Sequence, residues 1–234
     1  AWEGVRDATR NGPSCPQPML ESGKANSGGA YGPVSEDCLQ LNVYAPASAA
    51  KAPVMVWIHG GSHRTGAGWV YDGTEFARDG IVVVTINYRL GALGYLSHPG
   101  LGQHSGNYGL MDQIAALRWV RENIAQFGGD AGNVTLFGES AGSQDVSLLL
   151  ASPLASGLFR RAILQSGTPG FGMTARSLSD GLRLGDQLDG LLPRSSRRRN
   201  LDRLRALPAA DLLAADLKLR DPAIWNQDYL WLRT

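Results

Sequence analysis

Long apolar runs, surplus charge and cysteine are what this sequence has least of, and each shortage narrows the reading. No apolar run approaches the ~18 residues that would span a bilayer, so no membrane-spanning segment is expected. Lysine and arginine number 22 against 21 aspartate and glutamate, a net charge of +1. That balance lacks the basic surplus by which a chain holds nucleic acid or an anionic membrane surface, and neither is expected as a partner. No internal repeat or low-complexity tract is present. The first residues, Ala1-Trp2-Glu3-Gly4, include neither an initiator methionine nor a basic-then-apolar leader, and processing or truncation is expected to have removed the true start. The 2 cysteines are Cys15 and Cys38. In an oxidising compartment such a pair reads as a disulfide, whose loop closure would contribute roughly 3 kcal/mol; in the cytosol it reads as two free thiols.

What is present describes a globular chain with a core: 43% hydrophobic and 18% charged residues over 234 positions, enough for one large domain or two small ones. Positions 1–37 are turn-rich, with Asn11-Gly12-Pro13, Gly28-Gly29 and Gly32-Pro33, and are expected to run over the surface. Residues 39–44 alternate apolar and polar, as a half-buried strand does. Residues 53–58 (PVMVWI) and 81–86 (IVVVTI) are short, β-branched and apolar throughout, the mark of strands covered on both faces and hence of a largely parallel sheet. Between 110 and 127, Ile114, Leu117, Val120, Ile124 and Phe127 recur at helical spacing, and Gly128-Gly129 supplies the stop. Strands at 133–137 and 162–165 and a helix at 143–150 complete an α/β alternation. From about Ala175 the pattern turns to amphipathic helices, 178–192 and 200–219, broken by Pro193 and Pro208. The run Arg197-Arg198-Arg199 between them reads as a solvated turn, and an aromatic stretch with Trp225, Tyr229 and Trp231 closes the sequence.

One motif carries chemistry. Residues 138–142 read Gly-Glu-Ser-Ala-Gly, a G-x-S-x-G match. With 30 glycines in the chain such a match arises easily by accident, so context decides. Here it directly follows the strand at 133–137 and directly precedes a helix. A serine on a tight strand-to-helix turn sits in strained backbone with its hydroxyl pushed above the sheet, and flanking glycines leave room at the bend. The helix that follows aims its N-terminus at a developing oxyanion. The alternative is a glycine-flanked turn serine without chemistry. A second element supports the first: Trp57-Ile58-His59-Gly60-Gly61-Ser62 leaves a buried strand into a glycine turn. Acyl transfer needs backbone N–H groups aimed at the tetrahedral oxygen, each worth ~3 kcal/mol of transition-state stabilisation.

Together with Ser35-Glu36-Asp37-Cys38-Leu39-Gln40-Leu41-Asn42-Val43, Asn87-Tyr88-Arg89-Leu90-Gly91, Gly106-Asn107-Tyr108-Gly109-Leu110-Met111-Asp112-Gln113, Phe127-Gly128-Gly129-Asp130 and Phe159-Arg160-Arg161-Ala162-Ile163-Leu164-Gln165-Ser166-Gly167, these residues resemble the type-B carboxylesterase family, which includes the cholinesterases. The likeness runs nearly ungapped from Trp2 to Pro169 and fades after Ala175. It implies an α/β-hydrolase fold: one largely parallel central sheet flanked by helices, incomplete at both ends, with 1–174 forming the core sheet region and 175–234 the start of a helical cap or insert. It implies that Ser140 is the acylated nucleophile, that the N–H groups of Gly61, Ser62 and Ala141 form the oxyanion hole, and that Cys15 and Cys38 form the family's first disulfide. A secreted or periplasmic location then fits better than the cytosol. The implied substrate is a small carboxylic ester, with no metal and no organic cofactor. Glu139 and Ser166 are candidates for tuning the site, and Phe171 and Met173 for bordering an acyl pocket.

The sequence departs from the family in three ways. The third glycine of the usual oxyanion run is Ser62, which keeps an N–H but narrows the allowed backbone angles. The tryptophan of cholinesterases between the two cysteines is missing, so choline esters find little support. The largest departure concerns the base. A serine hydroxyl is a weak nucleophile until an oriented base takes its proton, and in α/β-hydrolases the order is Ser, acid, His. All 4 histidines, His59, His63, His98 and His104, precede Ser140. His59 belongs to the oxyanion turn, and the other three read as ordinary loop histidines. Family members place the acid well over a hundred residues past the serine and the histidine further still, beyond the reach of this sequence. The expectation is a fragment that needs complementary segments of the same enzyme for turnover. The competing reading is a non-catalytic, cholinesterase-like binding or adhesion module, against which the retained Ser140 stands, or an inactive truncated product.

Overall fold

The strands follow from where β-branched residues must hide. In a computed structural model that describes residues 3–4, 7–18, 32–168, 176–192, 201–221 and 231, five strands form one sheet: β1 (Leu41–Tyr44), β2 (Ala52–Ile58), β3 (Val82–Ile86), β4 (Gly129–Glu139) and β5 (Arg161–Gln165). Their order is β1-β3-β2-β4-β5. The three central strands are parallel to one another and to β5, whereas β1 runs antiparallel to β3. The sheet is therefore mixed by one edge strand and otherwise parallel, as the apolar runs require. Val54, Val56, Ile58, Val82, Val84, Ile86 and Leu136 have essentially no solvent exposure, and burying each such side chain is worth roughly 1.5–3 kcal/mol.

Among the described residues there are seven α-helices: α1 (Thr74–Arg78), α2 (Gly91–Tyr95), α3 (Tyr108–Asn123), α4 (Ala141–Ala151), α5 (Leu178–Leu191), α6 (Leu201–Ala206) and α7 (Ala209–Lys218). The helix expected over 110–127 ends early. After Asn123 the chain tightens into a 3₁₀ turn, Ile124–Phe127, and leaves through Gly128 at φ 78°. Ile114, Leu117, Val120 and Ile124 are buried as expected, but Phe127 rotates out to 42% exposure, its ring 5.9 Å from that of Trp119. The short helices α1 and α2 lie between the strands where no helix was expected. The helical character after Ala175 is as expected, and Leu184, Leu188, Leu219 and Trp231 share one continuous core with the strands.

Two of the recurrent motifs are structural. Arg89 grips Asp112 of α3 through Nε (2.7 Å) and Nη2 (2.8 Å) and lies over the Tyr108 ring. Asn87 donates to the carbonyls of Pro13 and Cys38 and accepts from the Gly68 amide, tying the N-terminal segment to β3. In that segment Cys15 and Cys38 are disulfide-bonded and buried. No helix of the described residues is long and apolar enough to cross a membrane. The run Arg197-Arg198-Arg199, Phe171, Met173, Trp225 and Tyr229 lie outside the described residues.

Candidate active site

Ser140 is the single residue between β4 and α4, and its backbone stands at φ 53°, ψ −121°, a region costing a non-glycine residue on the order of 1–3 kcal/mol. The bend is feasible because its neighbours lack side chains. A Cβ on Gly138 would meet the Gly142 carbonyl carbon at 2.7 Å, and one on Gly142 would meet the Ile58 oxygen at 2.1 Å. The Ser140 amide donates to the Gln165 carbonyl (2.9 Å), and its carbonyl accepts from Gln144 N (3.1 Å). The residue is half-buried rather than enclosed. No described residue is hydrogen-bonded to its hydroxyl.

The glycine turn after β2 lies against this elbow. A Cβ on Gly60 would stand 3.1 Å from the Ser140 Cβ and 2.8 Å from both the carbonyl and Oε2 of Glu139. Gly61 sits at φ 107°, and Ser62 and His63 both at φ 57°. Three successive residues with positive φ turn the chain sharply beside the nucleophile, and the second keeps that conformation despite being serine. The turn is closed by Arg64 N and Thr65 N donating to the Gly61 carbonyl. Ala141, buried, is the first residue of α4. The structure thus brings Ser140, Gly61, Ser62 and Ala141 into one place. Glu139 ends β4 at the same spot. Ser166 follows β5 at φ 55° and is exposed.

The histidines divide. His59 is fully enclosed, donates from Nδ1 to the Gly60 carbonyl at 2.8 Å, and stacks on Tyr88. Burial drives its pKa down from 6.5 to about 4, against the opposing influences of the Gly60 carbonyl and Asp145, so it is neutral at pH 7. His98 accepts from the Gly100 amide in its own loop, an ordinary loop role, and the His104 side chain lies outside the description. His63 is not an ordinary loop histidine. It is 2% exposed, and its Nε2 lies 2.8 Å from Oδ1 of the fully buried Asp145 on α4. The second Asp145 oxygen accepts from Gln113 of α3. His63 Nδ1 faces the Trp231 carbonyl at 3.3 Å. The next residue, Arg64, bonds through Nη2 to Asp216 on α7, at 2.8 Å to Oδ1 and 3.1 Å to the carbonyl. Sequence patterns carried no sign of these pairs, because neither partner falls in a motif.

A family model described as the Carboxylesterase family matches residues 1–230. The chain is 45% identical to para-nitrobenzyl esterase of Bacillus subtilis (strain 168) over 226 residues, which cover 94% of this chain and 44% of that protein. It is 45% identical to fumonisin B1 esterase of Sphingopyxis macrogoltabida over 204 residues, covering 82% and 37%, and 52% identical to human carboxylesterase 3 over 180 residues, covering 72% and 31%. A solved structure of PNB esterase superposes with a TM-score of 0.82 at 42% identity, covering 94% of this chain and 44% of that one. The chain spans less than half the length of these relatives, and the fold they share with it is the α/β-hydrolase fold.

Proposed function

Since the chain belongs to the carboxylesterase family, we propose that it carries the nucleophile and oxyanion half of a serine carboxylic ester hydrolase. Ser140 Oγ attacks the ester carbonyl carbon, giving up its proton to a histidine base oriented by an acid, both supplied by complementary segments of the enzyme. The carbonyl oxygen gains the negative charge and is held by the N–H groups of Gly61, Ser62 and Ala141. The C–O bond to the alcohol then breaks, and the base returns its proton to the leaving oxygen. Water, deprotonated by the same base, attacks the acyl-serine and restores the hydroxyl as the acid product departs. The buried disulfide favours a secreted or periplasmic setting. Residues 175–234 are read as the start of a helical cap.

The observation that carries this reading is the strained Ser140 backbone, φ 53°, ψ −121°, set against a glycine turn whose own φ values are positive. Strain of that kind persists where the surroundings hold it, which supports reading Ser140 as the nucleophile. His63 does not supply the base, because its Nε2 is committed to Asp145 and its Nδ1 faces a carbonyl. The test is a fluorophosphonate probe on a polypeptide joining this chain to the complementary segments. An adduct on Ser140, absent from Ser140→Ala, is expected; an unmodified Ser140 by intact mass refutes the assignment. The 234 residues alone are expected to give negligible turnover of a p-nitrophenyl ester.

A further inference from the structure

The turn after β2 holds two consecutive non-glycine residues, Ser62 and His63, at φ 57°. Each costs on the order of 1–3 kcal/mol, and such a conformation persists only where neighbouring structure over-determines it. The hydrogen bonds within the turn, Arg64 N and Thr65 N to the Gly61 carbonyl, close the loop but do not fix its position over the elbow. That position is set by bonds reaching out from the turn. His63 and Asp145 are respectively 2% and 0% exposed, with Nε2 and Oδ1 at 2.8 Å. Asp145 lies on the first turns of α4, the helix that begins immediately after Ser140. A single bond therefore joins the residue after Ser62 to the helix that presents the nucleophile.

Resting on the ester-hydrolase reading, we propose that His63 and Asp145 are a positioning pair that registers the oxyanion amides against the nucleophile. Asp145 is itself fixed from behind by Gln113 Nε2 of α3 on its other oxygen, so its carboxylate has no freedom to follow a wandering turn. Arg64 anchors the far side of the same turn to Asp216 of α7, Gly91 N holds the His63 carbonyl, and the β2–β4 pairing reaches Ile58 and Gly138 at the base of turn and elbow. The His63 side chain adds the bond that ties the tip of the turn to α4. In this bond the imidazole is read as the donor to Oδ1 of Asp145, and no proton transfer is asked of it. The pair works by geometry. Misplacing an oxyanion donor loses transition-state stabilisation while hardly changing how ground-state ester binds.

The role separates from that of a base by substitution. The side-chain amide nitrogen of glutamine reaches the place of a histidine Nε2 and donates a hydrogen bond, but it does not titrate. In the polypeptide that labels with fluorophosphonate, His63→Gln is expected to keep kcat within about 5-fold of native. His63→Leu, similar in size but without a donor, is expected to lower kcat about 10- to 100-fold with KM changed less than about 3-fold, approaching the loss of one oxyanion donor. Asp145→Ala reads the same contact from the elbow side, and combining it with His63→Leu is expected to add little, since the two act as a unit. Inactivity of a folded His63→Gln would make His63 a base and overturn the proposal, as would native kcat in His63→Leu and Asp145→Ala. Should the leucine variant not fold, Asp145→Ala decides. Absence of labelling in the native polypeptide condemns the ester-hydrolase reading instead. The pairing is then judged on this chain by proton NMR, as a slowly exchanging downfield imidazole proton lost in His63→Leu and Asp145→Ala. Its absence from the native spectrum overturns the pairing.

Discussion

One methyl group separates glycine from alanine at position 142, and the elbow has no room for it. The added carbon would lie 2.1 Å from the Ile58 carbonyl oxygen at the end of β2. The oxygen belongs to backbone and the added carbon is fixed directly to it, so relief requires α4 to move off the sheet and carry Ser140 with it. Gly142→Ala is expected to destabilise the fold by at least about 2 kcal/mol and to abolish fluorophosphonate labelling, checked by denaturant titration and intact mass. His59 gives a prediction in pH. Its folded pKa of about 4 lies below the ordinary 6.5, chiefly because burial penalises the charged ring. Between those values the unfolded chain binds the proton and the folded one does not, so stability rises with pH across that window and is fully present above it. Acidifying from pH 7 to 4 is expected to remove on the order of 3 kcal/mol through this group alone. The pH slope of the denaturation midpoint should flatten in His59→Asn, whose amide keeps the donor to the Gly60 carbonyl. At this scale the reading from sequence succeeded where glycine marked a close approach at the bend, at Gly138 and Gly142. It failed at His63, because Asp145 is 82 positions away and only the sheet topology brings the two together.

Among the elements, β2 and β3 were the most readable, since strands covered on both faces leave little choice but β-branched and aliphatic residues; β4, expected over 133–137, extends from Gly129 to Glu139. Helix α3 was readable in its buried stripe but not in its end, because an apolar residue one turn further fits an α or a 3₁₀ continuation equally. The 3₁₀ turn at Ile124–Phe127 is what exposes Phe127. Helices α1 and α2, each five residues long, are too short for a periodic pattern to register. The same element scale explains two polar motifs without chemistry. Asp112, near the start of α3, receives Arg89 on both oxygens and the Arg89 amide as well. It locks the loop after β3 to the helix that also carries Gln113. Asp112→Ala strands a guanidinium that is 36% exposed and therefore partly rescued by water. A loss of about 2 kcal/mol is expected, less than for a fully buried pair, with Asp112→Asn intermediate, measured as the shift in urea midpoint.

For the molecule as a whole, the edges of the sheet decide behaviour in solution. Among the described residues β1 borders one side and β5 the other. β5 alternates exposed and half-buried positions, with Ile163 at 44% exposure. An edge strand with an apolar side chain in water is a template for another strand. In the proposed complete enzyme, further strands supplied by complementary segments would cover it. Among the described residues no further strand pairs with the outer side of β5. The isolated chain is accordingly expected to self-associate through β5, and Ile163→Lys to suppress that association by placing a charge where a second strand would pack. Light scattering as a function of concentration reads both. Retained self-association in Ile163→Lys would move the contact elsewhere, with the exposed leucines of α4, Leu148 and Leu150, next in line. Addition of the complementary segments should also dissolve the association and, if Ser140 is the nucleophile, restore its reactivity in the same titration. Coverage of the edge and assembly of the site would then be one event, because β5 is followed directly by the Ser166–Gly167 turn, where a Cβ on Gly167 would lie 2.3 Å from the Ser140 carbonyl.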